Sequence, residues 1–110
     1  MVSWPAIINF KGIDELQYVA DGQVWASDPD LHQQPYVDGD TLVDSAGRVF
    51  MLPYNAQEKK VEITATEDKL ALADFELMVL KHLTSLSQCC VSKLAILSYQ
   101  QGMHIVEKTE

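Results

Sequence analysis

The sequence predicts an α+β fold, an antiparallel β-meander sheet of five to seven strands with one long helix packed on one face. Two observations predict it. Short apolar or alternating runs, bounded by turn residues, recur along the chain on both sides of residues 71 to 86 and read as strands. One later stretch, residues 71 to 86, repeats apolar residues at steps of three and four, which a helix gathers on one side. With 110 residues, 47% of them hydrophobic, the chain is expected to form one globular domain over 1–110. A chain of that length buries roughly 60–65% of its unfolded surface on folding. It shows no internal repeat, low-complexity tract or linker.

AlaIleIleAsnPhe (6 to 10) reads as a first strand. GluLeuGlnTyrValAla (15 to 20), AspGly and GlnValTrpAla (23 to 26) read as a hairpin around a two-residue turn, although Val24 and Trp25 also suit the start of a short helix. From Ser27 to Asp40 the chain carries Pro29, Pro35, Gly39 and four aspartates with few apolar residues, the composition of a long loop.

ThrLeuVal (41 to 43), the turn AspSerAlaGly and ArgValPheMetLeu (48 to 52) predict a second hairpin, with Gly47 available for a positive φ. Val49 to Leu52 are apolar on both faces, which predicts a central strand. Val61, Ile63 and Ala65 alternate and are expected to face the core.

Along the helix Leu72, Phe75, Val79, Leu83 and Leu86 form the apolar stripe, with Asp74, Lys81 and Ser85 opposite. Glu67, Asp68 and Asp74 are expected near its start, where acids oppose the positive end of the helix dipole. Leu77 falls on the polar side and Met78 at its edge, so Leu77 is expected to be an isolated exposed leucine, with a partner contact as the alternative. Residues 93 to 99, GlnGlnGly and 103 to 107 predict a third hairpin.

Charge excludes some classes of partner. Eight basic residues against sixteen acidic ones leave a net charge of −8. Residues 1 to 55 hold Lys11 and Arg48 against eight acids, a balance of −6, and the rest hold six basic residues against eight acids, a balance of −2. A phosphate backbone needs clustered Lys and Arg, which are missing, so neither nucleic acid nor an anionic membrane is an expected partner. The acidity reads as a solubility device, with a basic protein partner as the alternative. The N-terminal residues lack the pattern of a secretory signal, and no apolar run approaches the roughly 20 residues that span a bilayer. A cytoplasmic location is expected.

The candidates for chemistry are few. Cys89 and Cys90 are adjacent, and neighbouring Cα atoms about 3.8 Å apart fall below the usual disulfide window of roughly 4.4–6.8 Å. In a strand the two side chains point to opposite faces, and the second pair of ligands that a structural zinc site needs is missing. They read as small apolar fillers, with a single reactive thiol as the alternative. His82 reads as a hydrogen-bonded residue at the core edge and His104 as a structural residue on a strand. His32 lies in the acidic loop, where Asp28, Asp30, Asp38 and Asp40 supply oxygen ligands, yet neither Asp-Pro-Asp nor Asp-Gly-Asp continues into a calcium-loop series, and turn chemistry accounts for both. Glu15, Asp44, Glu62 and Glu76 read as solvated surface acids. No phosphate-cradling or nucleophile-elbow motif occurs. No residue is therefore assigned a catalytic, cofactor-binding or metal-ligating role, and no cofactor is expected.

TrpProAlaIle (4 to 7), AspThrLeuValAspSerAlaGly (40 to 47) and GlnCysCysValSerLysLeu (88 to 94) together resemble a small gammaproteobacterial protein family, a domain of unknown function. The resemblance covers nearly the whole chain and implies a bacterial cytosolic protein, without bringing an activity or ligand. The expectation is a non-enzymatic protein-interaction domain whose partner is another protein or a second copy in a homodimer. The alternative is a small enzyme or ligand-binding protein with its site under the 27–40 loop.

Overall fold

Ala6, Ile7 and Ile8 are all fully buried, so the strand they form has protein on both faces and belongs inside a sheet. In the computed structural model, which describes residues 2–33, 36–37, 39–58, 60–86 and 96–109, β1 (Ala6–Asn9) lies between β2 (Leu16–Val19) and β3 (Thr41–Asp44) and is antiparallel to both. Ile7 stands opposite Tyr18 on one side and Val43 on the other. β4 (Arg48–Met51) returns beside β3, β5 (Tyr54–Asn55) and β6 (Lys60–Val61) form a separate ribbon, and β7 (Thr64–Lys69) ends the sheet, whose order is β2-β1-β3-β4-β7. The class is α+β as expected, and five strands fall within the expected number.

Alternation along these strands feeds a core on each face of the sheet. On one face Ala6, Ile8, Val19, Leu42 and Phe50 pack with Trp25, Leu31 and Val61, which come from α1 (Gly22–Ser27), α2 (Pro29–Gln33) and β6. On the other, Ile7, Leu16 and Val43 meet Phe75, Val79 and Leu83 of α3 (Leu72–Ser85), and Met103 and Val106 of α4 (Tyr99–Thr109). The long helix thus stands within its predicted bounds and buries Phe75, Val79 and Leu83 of its predicted stripe, while Leu72 and Leu86, at its two ends, are partly buried.

Four expectations of secondary structure are corrected. Residues 23–26 are helical because the Asp21 carboxylate accepts the Val24 N–H at 2.8 Å and caps α1; AspGly serves here as a helix start and not as a hairpin turn. Within the 27–40 loop, residues 29–33 are helical, with the Asp28 carboxylate accepting the Asp30 N–H at 3.0 Å. The 61–65 strand is broken: Val61 ends β6, Ala65 is exposed, and β7 continues to Lys69, so Glu67 and Asp68 lie on a strand and not at the start of α3.

The fourth correction concerns the third hairpin. Residues 99–109 are helix α4, joining α3 on the same face, and residues 93–95 lie outside the described residues. Tyr99, Met103 and Val106 follow a four-then-three spacing that satisfies a helix, and Gly102 sits inside it, not in a turn. The reason for glycine is proximity, since a Cβ there would overlap the Phe75 ring of α3. Gly47 has a different reason: its φ is +81° and its Cα faces the Tyr99 ring.

Gly102→Ala is therefore expected to push α4 away from α3 and lower unfolding free energy by about 1–3 kcal/mol. Urea denaturation measures this, and Phe75→Leu in the same chain should recover part of the loss by making room for the methyl group.

Candidate functional site

The residues that carry chemistry are spread through the fold, and most of them hold it together. His82, on the last turns of α3, is fully buried. Its Nδ1 accepts the Leu16 N–H at 2.8 Å, and its Nε2 lies 3.0 Å from Thr109 Oγ1. The Thr109 hydroxyl donates its own proton to the Ile105 carbonyl at 2.9 Å, so Nε2 carries the ring proton and donates to Thr109. The neutral ring ties β2, α3 and α4 together. Burial lowers its pKa from the ordinary 6.5, and only the charge of Glu15 opposes this.

His32 repeats the arrangement on the opposite face of the sheet. Its Nδ1 accepts the Val61 N–H at 3.1 Å, so Nε2 donates to the Trp25 carbonyl at 2.7 Å. The ring also meets Trp25 edge to face at 4.9 Å. Both nitrogens of each imidazole are thereby committed to the fold. His104 differs from its expected place: it lies on the outer side of α4, 62% exposed, with Nδ1 3.5 Å from Glu107.

Among the described residues the acids that the sequence singles out serve separate places. Asp40 accepts the Lys11 N–H at 2.7 Å and the Val37 N–H at 2.9 Å, fastening the end of the 27–40 segment to the turn after β1. Asp28 serves the α2 start, while Asp38, Cys89 and Cys90 lie outside the described residues. Among the described residues no group of three or more His, Cys, Asp or Glu is placed to hold a metal ion. Asp44 is a correction: it is fully buried, not a solvated acid. Glu76 is also engaged, accepting the Ile96 N–H at 2.9 Å.

Of the two margins of the sheet, β2 and β7, the β7 margin is the more exposed among the described residues. Five of its six residues are exposed, and β4 pairs with only one of its sides, through a register shift between Arg48 and Phe50. Among the described residues no strand pairs with the outer side. Beside this edge runs a groove of about 420 Å³ whose lining includes Tyr36, Val37, Met51, Tyr54, Thr66 and Asp68. Val37, Met51 and Tyr54 are 59%, 50% and 54% exposed, a large apolar content for one surface site.

Tyr36 comes from the 27–40 segment and stacks on Phe10 with ring centroids 5.9 Å apart. Its hydroxyl is buried with no hydrogen-bond partner among the described residues. Burial, helped by the charges of Asp40 and Asp28, pushes its pKa up to about 12.

Sequence reasoning missed this site because Glu67 and Asp68 suited a helix start as well as a strand. The available signal was ThrAlaThr at 64 to 66, whose threonines favour a pleated strand.

Comparison with known proteins follows the same outline. A family model described as a protein structure with unknown function, DUF4144, matches residues 4–106, and the chain belongs to that family. The stretches at 4–7, 40–47 and 88–94 had pointed to a family of this kind. The chain is also similar to a solved structure, an NMR structure of a protein from Shewanella amazonensis, with 23% identity and a TM-score of 0.72. The match covers 100% of this chain and 91% of that one and shows a shared fold. No curated protein matches the chain. Among the described residues no helix is long and apolar enough to cross a membrane.

Two measurements check the polar contacts. Because the folded-state pKa of His82 is depressed, the unfolded chain takes up a proton that the native ring refuses once pH falls below 6.5. The stabilisation is fully present above that value and declines as pH drops toward the folded pKa. The urea midpoint should therefore fall between about pH 7.5 and pH 5.5, and His82→Gln should start lower and show a shallower decline. Tyr36→Phe removes a stranded hydroxyl and should leave stability equal or raise it by up to about 1 kcal/mol, read from the thermal midpoint.

Proposed function

We propose that the chain is a non-enzymatic protein-interaction domain that receives an extended segment of another protein along the outer side of β7. The observation that carries this reading is the open six-residue edge strand lying beside an apolar groove. Backbone N–H and C=O groups on such an edge are a ready template for another strand, and a neighbouring groove accepts alternate side chains of the incoming segment.

Charge gives the partner its chemistry. Glu67 and Asp68 are exposed on β7, and Asp40 and Asp68 are the carboxylates lining the groove. An extended segment that alternates apolar and basic residues complements both features, in keeping with a chain of net charge −8. The Shewanella origin of the structurally similar protein supports a bacterial setting.

A synthetic peptide of about ten residues in which valine alternates with lysine tests the reading by NMR titration. The expected outcome is amide shift changes concentrated in residues 64–69 and at Met51 and Tyr54. Replacing Met51 and Tyr54 together by serine should weaken binding by about tenfold. Shift changes confined to another surface, or equal binding by a peptide alternating valine with glutamate, would contradict it.

A further inference from the structure

The α3 helix carries two stripes. Phe75, Val79 and Leu83 face the sheet and are buried. Away from the sheet Asp74, Leu77 and Lys81 stand exposed at spacings of three, four and seven, and Met78 lies at the edge of this outer face, partly buried against the core. All four also line one groove of about 510 Å³, whose other wall includes Ile13 from the β1–β2 connection. Leu77 and Ile13 are 51% and 54% exposed, and Met78 is partly buried. A lone surface leucine needs no explanation, but two large aliphatic side chains and a methionine around one groove form a patch.

We propose that this patch pairs two copies of the chain, α3 against α3, antiparallel about a two-fold axis that passes between Leu77 and Met78. Such an axis makes the contact isologous, each position on one helix meeting its reflection about the axis on the other. Leu77 then packs on Met78 of the second copy, and Met78 on Leu77. Asp74 stands opposite Lys81, and Lys81 opposite Asp74, so the ends of the stripe close with two ion pairs. The antiparallel arrangement also sets the two helix dipoles against one another favourably.

The charge distribution selects a second copy as occupant. With a net charge of −8, two copies repel over most of their surfaces. Around this groove the charges balance, Lys11 and Lys81 against Asp14 and Asp74. Neither Asp74 nor Lys81 makes an ion pair among the described residues, so both are available. The groove beside β7 is the opposite case, since Asp40 and Asp68 are its charged lining residues and self-pairing there would set acid against acid. The pairing uses a different face from β7 and stands independently of the reading proposed for that edge.

Sedimentation equilibrium of the full chain, from about 10 μM to about 1 mM, tests it. The mass of the wild type should rise with concentration from 12.3 kDa toward double that value. Asp74→Lys alone and Lys81→Glu alone each place like charges opposite one another, and each should weaken association by at least about tenfold. An equimolar mixture of the two variants restores both opposite-charge pairs in the heterodimer and should recover association, as should both substitutions in one chain. A wild type that stays at monomer mass throughout would overturn the proposal. Single variants that associate like the wild type, or a mixture that fails to recover, would also overturn it.

Discussion

The Asp44 carboxylate is the contact from which the rest of the fold is hung. Its side chain is completely removed from water, a state that costs several kcal/mol unless donors replace the lost hydration. They do. The backbone N–H groups of Ser3, Ala46 and Arg48 donate to it at 3.0, 3.0 and 2.9 Å, and the Arg48 guanidinium adds Nε and a terminal nitrogen, both at 3.0 Å. One oxygen thus shapes the turn between β3 and β4 while the other draws in the segment before β1. Ser45 closes the junction, its N–H donating to the Ser3 carbonyl and its hydroxyl to the Pro5 carbonyl. The pairing of β1 with β3 follows, and the cores on both faces of the sheet follow from that pairing.

The same device recurs at four other places where an element begins or ends. His82 takes the Leu16 N–H at the start of β2, His32 the Val61 N–H at the end of β6, Asp40 the Lys11 N–H after β1, and Glu76 the Ile96 N–H before α4. A buried donor left without an acceptor costs about 1–3 kcal/mol, so each of these side chains is fixed by the architecture it completes. Side chains committed in this way are poor candidates for proton transfer or metal binding. Two surfaces among the described residues stand out instead: the β7 margin with its groove, and the outer stripe of α3.

Legibility in the sequence tracks how local the cause is. The strands at 6–10 and 41–52 and the helix at 71–86 announce themselves because their apolar periodicity is complete within a few turns or alternations. AspGly at 21–22 and Gly102 are ambiguous on their own, since the first serves equally as a hairpin turn or a helix cap, and the second as a turn or a point of close helix approach. Trp25 packing on the sheet residues Ala6 and Leu42, added to the local Asp21 cap, and Phe75 pressing on Gly102 decide between them, through contacts with residues distant in sequence. Asp44 looks like any acid beside a turn, because nothing local reports that Ser3 will bring a donor to it. The β7 groove draws its lining from three separate stretches, around Tyr36 and Thr41, Met51 and Tyr54, and Thr66 and Asp68, so no single stretch could display it.

Amide hydrogen exchange tests the central claim most directly, namely that buried side-chain acceptors lock the framework while the β7 margin stays open. The account predicts that the Ser3, Leu16, Arg48 and Val61 amides, whose acceptors are side chains, exchange only at rates set by global unfolding. It also predicts that outward-facing amides of β7 exchange orders of magnitude faster. If Leu16 and Val61 exchanged as quickly as β7, the histidine contacts would not be holding the fold, and the division between committed interior and available surface would be wrong.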